Sequence, residues 1–165
     1  MPQIHHELLI GASTHAVYSA ITTSEGLSAW WTPGAKATEE AGSIAHFPFG
    51  VVYFKEMKVL ELIQHQKVVW TCTSGAAEWI GTNISFDLKA ANEHALLQSQ
   101  PELAGQMQQQ SSADELTLLA FRHNGWKDYT PMFAECRYTW ALFLRSLKLF
   151  CETGKGKPYP QQHSI

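Results

Sequence analysis

The sequence predicts an α+β fold: a curved antiparallel sheet of about six to seven strands wrapped around a long C-terminal helix, with two short helices after the first strand. Three observations predict it. Residues 130–156 (TPMFAECRYTWALFLRSLKLFCETGKG) carry a helix start, a long apolar body and a helix stop. Between residues 42 and 88, segments rich in branched and aromatic residues are separated by breaks of hairpin length, which favours a meander over parallel crossover units. A curved antiparallel sheet has one apolar face to cover, and the aromatic-rich helix is the obvious cover.

Taken in order, residues 4–10 alternate Ile4, His6, Leu8 and Ile10 against His5, Glu7 and Leu9, a strand signature. Gly11 breaks it. Ser13 offers an N-cap for a short helix whose Val17, Ala20 and Ile21 share a face, and Ser24 offers one for a second helix carrying Leu27, Trp30 and Trp31. Pro33-Gly34 ends that helix. Strands are expected at 42–49, 51–63, 67–73 and 79–88, with Ile84, Phe86 and Leu88 facing inward. Residues 90–113 are rich in glutamine and poor in branched and aromatic residues, and read as a mobile inserted excursion with a short helix around Leu103 and Met107. Residues 116–123 resume as a strand, and Asn124-Gly125 turns the chain into Trp126.

Thr130 can cap the long helix and Pro131 suits its first turn, because the missing N–H costs nothing there. Phe133, Cys136, Trp140, Phe143, Leu144, Leu147 and Cys151 recur at steps of three and four, so they share one face. Gly154 supplies a left-handed C-terminal cap, and the polar, proline-rich tail 157–165 does not continue the helix. No internal repeat or linker is visible, so residues 1–165 are expected to form one domain.

A net charge of −3 gives no electrostatic reason to expect nucleic acid or an anionic membrane. The N-terminal MPQIHHELLI lacks the basic and apolar regions of a signal peptide, and no apolar run approaches the ~20 residues of a membrane span. Cys72, Cys136 and Cys151 lack CxxC spacing and read as reduced thiols, so the expected compartment is the cytoplasm. His5 and His6 are strand neighbours on opposite faces and cannot readily chelate together. No motif for a metal, a phosphate cradle or a dinucleotide is present, and no cofactor is expected.

Three stretches carry a family resemblance. HAVYSAITTSEGLSAWWTP, LTLLAFRHNGW and ECRYTWALFLRSLKLFCETGKGKP resemble, in order, the paired short helices ending in two tryptophans, the last strand with its His-x-Gly-Trp ending, and the closing helix of the activator of Hsp-ninety ATPase homologue-like family. That family lies within the START-like (SRPBCC, birch-pollen-allergen-like) helix-grip superfamily, and the likeness covers nearly the whole chain. The glutamine-rich insertion departs from the family's compact form. The resemblance implies a helix-grip fold with a cavity between sheet and helix, which in many superfamily members takes lipids, polyketides or other apolar molecules. It also implies a second role, a chaperone-associated or stress-response interaction module, and leaves a homodimer open. Function lives in sites rather than folds.

The residues expected near a ligand cavity are Trp30, Trp31, Tyr53, Phe86, Phe121, His123, Trp140, Phe143 and Leu147. Each has a plainer reading as core filling, and the two readings stay open at this level. His123 could serve as an acid, a base or a hydrogen-bond donor, or simply bond to the turn at Asn124-Gly125. Arg122 and Glu135 could form a functional or a structural pair. A cyclase or hydrolase would need at least two polar groups converging in the cavity, and no catalytic residue is assigned.

Overall fold

Among the described residues, six antiparallel strands form one sheet in the order β1-β6-β5-β4-β3-β2. In this computed structural model, residues 1–107 and 115–165 are described. The strands are β1 (Ile4–Ile10), β2 (Ile44–Phe49), β3 (Tyr53–Ile63), β4 (Lys67–Ser74), β5 (Asn83–Ala91) and β6 (Leu116–Asn124). Helices α1 (Thr14–Thr22) and α2 (Ser24–Trp30) follow β1, short helices α3 (Glu93–Ser99) and α4 (Ala104–Met107) follow β5, and α5 (Pro131–Thr153) closes the fold. This is the helix-grip arrangement.

Local chemistry sets most boundaries. Ser13 caps α1 by accepting from the Ala16 N–H. Thr23, not Ser24, caps α2, accepting from the Gly26 N–H. Ser24 is instead drawn to the following loop, where its hydroxyl bonds both the Ala37 N–H and the Ala37 carbonyl. β2 and β3 begin two residues later than the composition suggests, because Gly42 and Gly50 adopt left-handed backbone and Val51 and Val52 form the exposed hairpin tip. Trp79 lies before β5 rather than within it, in a turn closed by the Thr82 N–H on the Trp79 carbonyl.

α5 carries both expected caps: Thr130 accepts from the Phe133 N–H, and Gly154 sits at φ 83°. Its buried face includes Phe133, Cys136, Trp140, Phe143, Leu144 and Leu147, joined by Ser146 and Lys148. Both polar groups have partners. The Ser146 hydroxyl donates to the Trp30 carbonyl, and the Lys148 ammonium donates to the Leu9 carbonyl and to Glu152 one turn later. Glu152 in turn accepts from the Gly11 N–H.

The core is mostly aromatic. Trp31 stacks on Trp70 (6.0 Å between ring centres, planes 5° apart), meets Phe47 at 4.4 Å and Trp140 at 5.1 Å, and lies parallel to Trp30 at 5.9 Å. Phe86 fits edge-on against Trp70 and Phe121. α1 and α2 cross closely: a Cβ on Gly26 would lie 2.5 Å from the Ala20 Cα and carbonyl oxygen. Gly26→Ala should therefore destabilise the protein by at least about 1–3 kcal/mol, the cost of overpacking against a backbone that cannot yield. Chemical denaturation measures it.

The insertion expected at 90–113 divides differently. β5 runs on to Ala91, and α3 and α4 follow, with a short 3-10 turn (Pro101–Leu103) between them. Leu96, Leu97 and Leu103 pack on a small second cluster around Leu9 and Leu116. The Leu9 N–H donates to Gln106 Oε1 at 2.7 Å. Residues 108–113 of that excursion lie outside the described residues. The tail folds back: the Tyr159 N–H donates to the Trp31 carbonyl at 2.8 Å and the Lys157 N–H to the Ser146 hydroxyl at 2.7 Å.

Candidate functional site

A half-open cleft of about 400 Å³ lies between the start of β3, the N-terminal half of α5 and the folded-back tail. That volume falls within the ~300–1,000 Å³ of small-molecule pockets. Its walls are largely aromatic: Phe49 and Tyr53 from the β2–β3 hairpin, Trp79 from the β4–β5 turn, Trp31 and Trp140 from the core, and Phe143 and Tyr159 from helix and tail.

Of the residues expected near a cavity, Trp31, Tyr53, Trp140 and Phe143 line this cleft. Trp30, Phe86, Phe121, His123 and Leu147 do not line it. They are fully buried behind it, because the stacked tryptophans fill the space between the middle of the sheet and the helix. The open volume is displaced toward the N-terminal end of α5, where the helix leaves the tryptophan stack and the tail supplies the outer wall.

His123 is held in a closed hydrogen-bond chain. The Trp140 indole N–H donates to His123 Nδ1 at 3.2 Å, which leaves Nε2 as the protonated nitrogen. Nε2–H then donates to the Thr82 hydroxyl at 2.8 Å, and that hydroxyl donates to the Trp79 carbonyl at 2.6 Å. The partners are Thr82 and Trp140 rather than the Asn124-Gly125 turn. Both ring nitrogens are engaged, and burial pushes the imidazole down to about 3, with the charge of Lys55 adding to the effect.

A pH dependence follows. Unfolded, His123 takes a proton below about 6.5; folded, it stays neutral until about 3. The unfolded chain thus binds more protons in that window, so stability falls as the pH drops through it, by about 1.4 kcal/mol per pH unit from this group. His6, also lowered by burial, acts in the same direction. Urea denaturation at pH 7 and pH 5 should show a shallower loss in His123→Gln than in the wild type.

Arg122 and Glu135 do not pair. Arg122 projects from β6 to Asp87 on β5, N–O 2.9 Å, while Glu135 stands exposed on the cleft rim and accepts from the Thr139 hydroxyl. Among the described residues, no group of three or more His, Cys, Asp or Glu side chains could hold a metal ion.

The residue that sequence reading missed is Lys55. On β3, Tyr53, Lys55, Met57 and Val59 share a face, and Met57 and Val59 are core residues. A lysine in that series points inward. Its Nζ lies 4.3 Å from the ring centre of Phe49, 4.6 Å from that of Trp79 and 4.7 Å from that of Tyr53. These are cation–π contacts on three sides. No carboxylate forms an ion pair with it among the described residues. Burial pushes its ammonium down to about 8, against the opposing pull of Cys136 and Cys72. The loop beyond β4 holds the cage in shape: the Tyr53 hydroxyl accepts from the Ala76 N–H, and Gly75 lies over the stem of Lys55, where a Cβ would meet Cγ at 3.2 Å. The signal was an interruption of the apolar alternation in β3 by one charge.

Comparison with known proteins agrees with the fold. The sequence model of the family described as activator of Hsp90 ATPase homolog 1-like protein matches residues 11–148. The chain is similar to the Aha1 dimer from Colwellia psychrerythraea, whose structure was solved in solution: identity is 32%, 94% of this chain and 100% of that one are covered, and the TM-score is 0.73. A protein from Staphylococcus saprophyticus shares the fold at 14% identity and TM-score 0.64, covering 94% of this chain and 95% of its own. DynU16, of the dynemicin biosynthetic locus, shares it at 16% identity and TM-score 0.64, covering 93% of this chain and 48% of its own. No curated protein matches the sequence. Among the described residues no helix is long and apolar enough to cross a membrane.

Proposed function

Because the chain belongs to the activator of Hsp90 ATPase homolog 1-like family, we propose that it uses the family's helix-grip fold to bind an apolar or aromatic small molecule in the cleft between sheet and closing helix. One observation carries this reading: a half-open space of about 400 Å³ walled by aromatic rings from the sheet, the helix and the tail. Such a surface favours flat apolar ligands through area burial and offset stacking. Binding should quench tryptophan fluorescence, since Trp31, Trp79 and Trp140 stand on the wall, and should raise the melting temperature by linkage. Screening the purified protein against lipid and aromatic libraries tests it. No shift in either signal across both libraries, at ligand concentrations up to solubility, would sink the reading.

A second reading, an interaction module in chaperone or stress responses, has its own support. Val51 and Val52 are fully exposed at the β2–β3 hairpin tip, with Phe54 partly exposed beside them, and exposed apolar patches mark contact surfaces. The Colwellia relative is described as a dimer. Sedimentation velocity of the wild type and of Val51→Ser/Val52→Ser tests self-association. Capture on an immobilised Hsp90-type chaperone tests the other partner, and a monomer that captures no chaperone would eliminate this reading.

A further inference from the structure

We propose that the cleft selects ligands bearing an acidic group, an aromatic carboxylate in the simplest case, with Lys55 as the seat of the carboxylate and the aromatic walls holding the ring. This rests on the ligand-binding reading above and names the chemical class of that ligand.

The cleft has a polar point in a place where the fold does not need one. Inward positions of β2 to β6 are otherwise filled by side chains such as Phe47, Met57, Trp70 and Phe86, and the inward His123 is neutral and fully bonded. Lys55 is an ammonium with three N–H donors and three aromatic faces around it. Ring faces stabilise a cation but do not accept its hydrogen bonds as a carboxylate does. A ligand carboxylate entering the cleft would supply those acceptors in a half-buried site, where charge-assisted bonds are stronger than in open water. The cage is fixed by the Ala76–Tyr53 bond and by Gly75 above the lysine stem, so the donor is positioned before the ligand arrives.

Charge on the surrounding elements is consistent with one half-buried cation at Lys55. Tyr53 faces Lys55 from its own strand, Cys72 from β4, His123 from β6, Cys136 from α5, and Glu135, Tyr159 and His163 line the same cleft from helix and tail. Burial raises Tyr53, Cys72 and Cys136, keeping them neutral, and holds His123 neutral as well. Glu135 is the carboxylate of this set, and it stands exposed at the rim. A ligand with its acid group inward places that group next to Lys55 and its apolar end toward the mouth.

The test uses a matched pair, 2-naphthoate and the uncharged 2-naphthalenemethanol, titrated calorimetrically into the full chain at pH 7. The wild type should bind the acid about tenfold more tightly than the alcohol, the scale of one charge-assisted hydrogen bond. Lys55→Met should bind the two alike. A second measurement needs no variant: the preference of the wild type for the acid should decline as the pH rises through about 8, while binding of the alcohol stays level. If the wild type binds both compounds equally, or if Lys55→Met keeps the preference, the acid seat is wrong and the apolar cleft stands. Should the wild type bind neither, this proposal falls too, and the library screen decides the broader reading separately.

Discussion

Replacing Glu152 by alanine should cost about 3–5 kcal/mol of stability, the range for removing one partner of a buried ion pair. Lys148 and Glu152 are 5% and 4% exposed, so neither side chain can turn to water when its partner goes. The loss is compounded because Glu152 also accepts the Gly11 N–H at 2.7 Å, which would be left without its acceptor. The urea midpoint at neutral pH reports the effect. A Lys148→Met/Glu152→Leu double variant should recover much of it, since a well-packed apolar pair often replaces a buried ion pair without loss. Recovery will be incomplete, because Lys148 also serves the Leu9 carbonyl.

Trp31→Ala should be of similar size, about 3–5 kcal/mol, as for other large buried aromatics truncated to alanine. For a chain of this length that corresponds to a fall in melting temperature of roughly 10 °C. Trp31 is 1% exposed and touches the sheet through Phe47 and Trp70 and the helix through Trp140 and Phe143. It is also part of the cleft wall, and its carbonyl holds the tail through the Tyr159 N–H. Thermal melts measure the stability. Proteolysis of the tail, which should be faster in the variant, measures the second role.

The elements legible in the sequence are those fixed by local chemistry. Thr130, Pro131 and Gly154 mark both ends of α5, and its burial period follows from apolar residues at three- and four-residue spacing. The antiparallel run from β2 to β5 was readable from hairpin-length breaks, while the seat of β1 beside β6 was not. The site was only half readable. Trp31, Tyr53, Trp140 and Phe143 stand on the cleft, but Phe86, Phe121 and Leu147 fill the core, and alternation alone cannot separate a pocket wall from packing one layer deeper. The tail was legible only as a stretch that does not continue the helix, yet Tyr159, Gln162 and His163 line the cleft. Their placement depends on bonds to Trp31 and Ser146, over a hundred residues and about ten residues away in sequence respectively. Lys55 was visible as a charge in an inward series. Its meaning required the three rings around it.

One consequence of the short helices after β5 concerns the sheet's borders. β1 is an outer strand, and such strands offer unpaired N–H and C=O groups on which another chain can add itself. At Leu9 both outward groups are already taken: Gln106 accepts from the N–H and Lys148 donates to the carbonyl. The opposite border, β2, carries Pro48, which has no N–H to offer. Gln106 on one border, and Pro48 with the Lys36–His46 bridge on the other, thus leave fewer groups open to intermolecular strand addition. Gln106→Ala should leave the fold intact and make the protein more prone to aggregate at high concentration, a tendency that light scattering over time would register.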